Sequence, residues 1–168
     1  TGLLALAMLS TQAQVKTPQA SPAAKVDQMD GLADIQIDYS RPGAKGRTVY
    51  GDLVPYGKNW RTGANANTTF SVDQDIKVNG KDLKKGKYAL YTTPKADSWD
   101  VIFYTSTDNW GLPENWDESK VALRVSVKPE TLMRSVESFT IAINNITNDS
   151  ATLDLAWERT TVSVPFTV

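Results

Sequence analysis

Apolar and polar residues alternate in short runs along most of this chain of 168 residues. From Leu32 to Tyr39 and again from Val121 to Val127, every second residue is apolar. A period of two is typical of β-strands that bury one face, and no stretch sustains the period of a helix. We therefore predict nine or ten short strands spread over the chain.

The segments between these runs predict how the strands are connected. Asn79-Gly80 is the dipeptide of a type I′ hairpin turn. We expect a tight turn at Arg159-Thr160, between apolar positions that change phase there, and one helical turn at Pro129–Met133. The pattern indicates an all-β fold, an antiparallel β-sandwich of jelly-roll or immunoglobulin-like type, with a closed barrel as the alternative.

One stretch, Tyr39–Asn65, breaks the alternation and is punctuated by glycine and proline. It contains a single acid, Asp52, and five basic residues: Arg41, Lys45, Arg47, Lys58 and Arg61. The chain as a whole has a net charge of −1, so the rest of it is acidic. Long ordered loops are often functional, although such a loop can also be a plain connection between two sheets. We call this stretch the cationic loop.

The amino-terminal residues are typical of a processing signal. The run from Gly2 to Ser10 is apolar but too short to span a bilayer, and a small residue, Ala13, offers a cleavage site. We interpret residues 1–13 as a truncated signal peptide, 14–22 as a linker and 23–168 as a single β-sandwich domain. A periplasmic or secreted protein, with no transmembrane segment in the mature chain, is therefore expected.

The amino-acid composition limits the kinds of catalysis that this chain could perform. The chain has no histidine and no cysteine, which excludes histidine-based triads, thiol nucleophiles and thiolate metal sites. Catalysis would have to use carboxylates, lysine, tyrosine or a hard cation bound by oxygen atoms. A non-catalytic protein without cofactor or metal is therefore the stronger expectation. A sequence pI of about 5.4 argues against a nucleic-acid partner.

Several motifs together resemble one known family. Tyr39-Ser40-Arg41-Pro42 and Trp60–Asn65 are the most specific, and Gly86–Leu90 and Ala156-Trp157-Glu158 follow in the same order. The chain is similar, from about Ser21 to Pro165, to the exported domain-of-unknown-function (DUF) 2911 family of Bacteroidota-type bacteria. This resemblance implies an exported protein and no particular activity.

The cationic loop is the predicted ligand site, and its ligand is predicted to be a glycan or a small anion. Arginine offers forked donors to carboxylate or phosphate, tyrosine and asparagine give directional hydrogen bonds, and tryptophan gives an apolar wall. The candidate residues are Tyr39, Arg41, Lys45, Arg47, Trp60, Arg61 and Asn65. Alternatively, the arginines pair internally with acids such as Asp38, Asp52 or Glu158.

A second loop, DNWGLPENWDES, has its own chemistry. Trp110 and Trp116 would favour glycan binding if both were exposed. The acids Glu114, Asp117 and Glu118 leave open a carboxylate-dependent glycan hydrolase, which needs two facing carboxyl groups. The functional hypotheses are thus a binding module, a structural or protein-interaction module of the cell envelope, and that hydrolase.

Overall fold

The computed structural model of the protein describes residues 17–168. The expected signal peptide and the first residues of the linker lie outside this range. The described part contains ten strands: β1 (Ala23–Asp30), β2 (Ala33–Ser40), β3 (Thr69–Val72), β4 (Ile76–Val78), β5 (Lys81–Leu83), β6 (Gly86–Pro94), β7 (Trp99–Tyr104), β8 (Val121–Val127), β9 (Glu130–Asn144) and β10 (Ser150–Thr167). A short 3₁₀ helix, Glu118–Lys120, precedes β8.

The strands form two antiparallel sheets. One has six strands in the order β1-β2-β3-β6-β7-β8, and the other has four in the order β5-β4-β10-β9. The predicted all-β sandwich is therefore confirmed, and the alternative of a closed barrel is wrong. The predicted Asn79-Gly80 turn joins β4 to β5, and both of its residues have the positive φ that a type I′ turn requires (48° and 79°).

The main core lies between the two sheets. Alternate residues of β2, β7, β9 and β10 point inward, and Trp99, Phe139 and Trp157 are among its largest buried side chains. These three belong to an aromatic cluster that also contains Tyr50 and Trp60. The cluster lies at the end of the sandwich that the cationic loop covers.

A second, smaller apolar cluster lies on the outer face of the six-stranded sheet. Tyr91, Ile102 and Tyr104 are buried there, although they point away from the main core. Trp116, from the loop between β7 and the 3₁₀ helix, packs against Tyr91 and Tyr104. This loop therefore covers part of the outer face of the sheet.

Two local predictions are wrong. Residues of the expected helical turn at Pro129–Met133 lie at the start of β9, where Thr131 pairs with Thr160 of β10. No turn occurs at Arg159-Thr160, because β10 continues through it with irregular pairing on both sides of Glu158. Glu158 has a φ of 54°, and this bulge changes which residues of β10 face the core.

The cationic loop connects β2 to β3 and contacts both sheets. Its Pro42 carbonyl accepts a hydrogen bond of 2.9 Å from the Phe139 N–H of β9. Further on, Trp60 pairs through both backbone groups with Thr92 of β6, at 2.7 and 3.0 Å. Since β9 and β6 belong to different sheets, the loop crosses one end of the sandwich.

Candidate functional site

A cleft of about 370 Å³ opens between the cationic loop and the end of the sandwich. This volume is within the range of small-molecule sites. The lining residues come mostly from the cationic loop: Ser21, Pro42, Arg47, Leu53, Val54, Pro55, Lys58, Asn59, Trp60, Arg61, Gly63, Ala64 and Trp157. Three of them are basic and none is acidic, so the cleft is strongly cationic.

Trp60 forms a fixed aromatic wall of this cleft. Its ring stacks on Trp157 at a centroid distance of 5.8 Å and meets Phe139 edge to face at 5.0 Å. Its indole N–H donates to the Gly63 carbonyl at 3.1 Å. Packing and hydrogen bonding together hold the half-buried ring in one orientation before any ligand arrives.

Buried hydroxyl groups hold the backbone around Trp60. Thr62 is buried with a φ of 56°, and its hydroxyl lies 3.1 Å from that of Thr92. The Thr68 hydroxyl donates to the Thr62 carbonyl at 2.6 Å. Thr93 donates to the side chain of Asn59, also at 2.6 Å. The segment that carries the lining residues is therefore rigid rather than a loose surface loop.

Arg61 is a basic residue of the cleft whose side chain forms no hydrogen bond or ion pair within residues 17–168. It is half-buried, and its Nε atom is inaccessible to solvent and has no hydrogen-bond partner in the described part of the chain. Gly111 packs against the same guanidinium so closely that a β-carbon there would lie 2.9 Å from Nη1. Since Arg61 also lines the cleft, an anion bound there would be the natural complement of its positive charge.

Arg47 and Lys58 are exposed at the cleft. Arg47 donates to the carbonyls of Ala44 and Gly43 at 2.9 and 2.7 Å. Two of its N–H groups therefore stabilise the conformation of the loop. Within residues 17–168, neither residue pairs with a carboxylate. Both charges therefore add to the positive potential of the cleft without internal neutralisation.

Two predicted site residues, Tyr39 and Arg41, form internal hydrogen bonds within the domain instead. Arg41 donates to the Phe139 carbonyl at 2.9 Å and to the Thr140 hydroxyl at 2.8 Å, which ties the start of the loop to β9. Tyr39 is buried, and its hydroxyl accepts from the Ile141 N–H at 3.1 Å. Neither residue lines the cleft.

The remaining predicted residues, Lys45 and Asn65, also lie outside the cleft lining. Lys45 is exposed, and its backbone N–H donates to the Glu137 carboxylate at 2.8 Å. Asn65 donates to the Ser21 carbonyl at 3.2 Å and positions the segment before β1. The cleft thus brings together Arg47, Trp60 and Arg61 of the predicted set.

Some lining residues were not among the predicted site residues. Lys58 was recognised only as part of the charge of the loop. Trp157 was named in a family motif, and it belongs to the core while it also borders the cleft. Leu53 and Asn59 carry no sequence signal that separates them from ordinary loop residues. Only the folded path of the loop brings them to one opening.

The second loop contains no exposed tryptophan pair, and two of its three candidate acids have a lowered pKa. Trp110 is exposed, but Trp116 is half-buried against two tyrosines. Hydrogen bonds from Ser119 lower the pKa of Asp117, and those from Arg124 and Trp116 lower the pKa of Glu118. A general acid of a glycosidase needs a raised pKa, and neither Asp117 nor Glu118 has one.

Comparison with known protein families identifies the relationship that the motifs suggested. A family model described as "Protein of unknown function (DUF2911)" matches residues 21–166, which include the whole cleft. The chain belongs to the DUF2911 family. Searches of curated proteins and of solved structures each gave no significant match.

Two further properties concern the described part of this DUF2911 domain. In residues 17–168, no group of three or more acidic side chains is arranged to hold a metal ion. No helix in the same range is long and apolar enough to cross a membrane.

Proposed function

We propose that this DUF2911 domain is a non-catalytic binding module that holds a small anionic ligand in the cationic cleft. The ligand would carry a carboxylate or phosphate group, either on a metabolite or on a charged sugar. The observation that carries this proposal is the lining of the cleft, which contains three basic residues, Arg61 among them, and no acid. Arg47 and Lys58 extend the same charge over the opening.

The wall of Trp60 supports a ligand with an apolar or flat portion beside its charge. The cleft exposes both polar and apolar atoms, which suits a molecule that has an anionic end and a ring or short carbon skeleton. The rigidity of the segment from Asn59 to Thr68 lowers the ordering cost of binding. We also propose, from the apolar amino-terminal run, that the protein acts in the cell envelope or is secreted.

The proposal is tested by a thermal-shift and calorimetric screen of the full chain. The probes are inorganic phosphate, sulfate, citrate, glucuronate and, as an uncharged reference, glucose. A ligand at one hundred times its dissociation constant stabilises the folded state by about 2.7 kcal/mol, which moves the melting temperature measurably. We expect at least one anion to stabilise the chain and its affinity to fall as salt increases.

Arg61→Gln should weaken that affinity by about tenfold or more, because it removes the charge that faces the ligand. The matched control is Arg134→Gln, which makes the same charge change at an exposed position of β9 away from the cleft. Arg134→Gln should leave the affinity unchanged. A screen in which no anion binds, or in which both variants bind as the parent does, would favour the structural or protein-interaction alternative.

A further inference from the structure

Trp110 projects from the loop between β7 and the 3₁₀ helix, and 75% of its surface is exposed. It borders a shallow groove of about 470 Å³ on the outer face of the six-stranded sheet. The other lining residues are polar with one exception: Asp38, Ala66, Asn67, Thr69, Lys87, Thr107, Asp108 and Asn109. None of them lines the cationic cleft, so this groove is a separate surface.

Hydrogen bonds on both sides hold Trp110 in place. The Asn109 carbonyl accepts from the Asn67 N–H at 3.3 Å, and the Gly111 carbonyl accepts from the Tyr91 hydroxyl at 3.0 Å. Burial raises the pKa of Tyr91 to about 12, so the hydroxyl keeps its proton and remains a donor. An exposed indole on a restrained backbone presents a flat apolar face at little entropic cost.

The polar groups beside Trp110 are available to a ligand. Asp38 of β2 and Lys87 of β6 take no part in the ion pairs found among residues 17–168. Asp108 accepts a single hydrogen bond, 3.2 Å long, from the Ser106 hydroxyl. Carboxylates bind hydroxyl donors through strong, charge-assisted hydrogen bonds, whereas Lys87 donates to ring or hydroxyl oxygens.

The chemistry of the groove favours a neutral sugar over an anion or a protein. Two acids and one lysine leave the lining close to neutral, so no anion is attracted as it is in the cleft. Protein interfaces usually bury about 1,200–2,000 Å² with an apolar centre. Here the apolar surface is roughly one indole face within a polar rim, which matches the size and polarity of a single pyranose ring.

We infer that Trp110 and the groove beside it form a carbohydrate-binding surface for a neutral hexopyranose unit. The C–H face of the ring would pack on the indole, and its hydroxyl groups would donate to Asp38 and Asp108. This surface shares no lining residue with the anion site, although Arg61 of the cleft packs against Gly111, the neighbour of Trp110.

The test follows the indole N–H resonances of the full chain in NMR titrations with neutral hexasaccharides. The probes are β-1,4-glucan, β-1,3-glucan, β-1,4-mannan and β-1,4-linked N-acetylglucosamine. We expect at least one of them to shift the Trp110 indole resonance. That resonance is identified as the one missing from the spectrum of Trp110→Phe. Trp110→Ala should weaken binding at least about tenfold, and Trp110→Phe should weaken it less, because phenylalanine keeps an aromatic face.

Two control variants make the result specific. Met133→Ala removes another exposed apolar side chain, 93% exposed on β9, and should not change sugar affinity. Lys58→Gln, a change in the cationic cleft at an exposed position, should leave sugar binding intact, so failure here and failure of the anion site are distinguishable. Absence of binding by all four probes, or equal binding by Trp110→Ala, would overturn the inference. Self-association that is lost in Trp110→Ala, without sugar binding, would instead assign the surface to a protein contact.

Discussion

At the scale of single residues, Arg41 and Arg61 show what a sequence cannot distinguish. Both were predicted from the same cationic stretch with the same reasoning about forked donors. Arg41 is satisfied by the Phe139 carbonyl and the Thr140 hydroxyl, which lie almost a hundred positions away in the chain. Arg61 has no such partner for Nε. Residue type and local charge predicted where the basic groups lie, but long-range packing decides which of them remain free.

Asp30 is a buried acid whose two carboxylate oxygens have no hydrogen-bond partner in the described structure. Burial raises its pKa above the ordinary value of 3.8, and repulsion from Asp149 adds to the rise. The folded state therefore holds the proton more tightly than the unfolded chain does. It follows that Asp30 favours folding below pH 3.8 and loses that contribution as pH rises through its raised pKa.

We predict that Asp30→Asn stabilises the domain at pH 7, by about 1–3 kcal/mol, because the variant buries no charge. The gain should disappear as pH falls toward 3.8, where the parent residue is protonated. Urea denaturation of both proteins at several pH values measures the difference. Asp27→Asn, at an exposed position of the same strand, is the control and should show no such gain at pH 7. Equal stabilities of Asp30→Asn and the parent at every pH would show that the carboxylate is solvated.

At the scale of elements, the alternation of apolar and polar residues predicted the strands well. It wrongly predicted a turn at Arg159-Thr160, within β10. In β10 the buried positions are odd-numbered up to Trp157 and even-numbered from Val162 onward. The change of phase was interpreted as a turn. A bulge produces the same change without reversing the chain, because one added residue moves later side chains to the opposite face. Periodicity alone does not separate these two cases.

The bulge residue Glu158 also holds the cationic loop. Its carboxylate accepts a hydrogen bond of 2.9 Å from the Val49 N–H. We predict that Glu158→Ala destabilises the domain by about 1–2 kcal/mol, because a part-buried donor loses its partner. Native-state hydrogen exchange should show faster exchange of the Val49 amide in particular.

Glu158→Gln is the matched control for this prediction, since its amide oxygen can still accept the bond. It should keep both the stability of the domain and the protection of Val49. Comparable losses in the two variants would mean that the charge of Glu158 matters rather than its hydrogen bond.

At the scale of the whole molecule, the sequence predicted two layers but not their order. The placement of β4 and β5 in one sheet and of β3 and β6 in the other depends on contacts between distant segments. The cleft has the same origin, because Ser21, Trp60 and Trp157 meet only after both sheets have formed. The local pattern of apolar residues indicates which face of each strand is buried. It contains no information on which distant segments come into contact.

The main core is one connected cluster that includes residues of both sheets. We therefore predict a single cooperative unfolding transition, without a stage in which one sheet melts alone. Tryptophan fluorescence and far-UV circular dichroism should give coincident denaturation curves. Trp110→Phe sharpens the comparison, because it removes an exposed fluorophore and leaves four tryptophans that are buried or half-buried. A fluorescence curve displaced from the dichroism curve would reveal an independent unit.

The crossing of the cationic loop over the end of the sandwich has a mechanical consequence. The cleft has one wall on Trp60, which is paired with β6, and another on Trp157 of β10 in the opposite sheet. A molecule bound there would act as a clamp across the two layers. Mechanical unfolding of the domain would then require more force with the cleft filled than with it empty. The tensile strength of the domain would therefore depend on whether a ligand is bound.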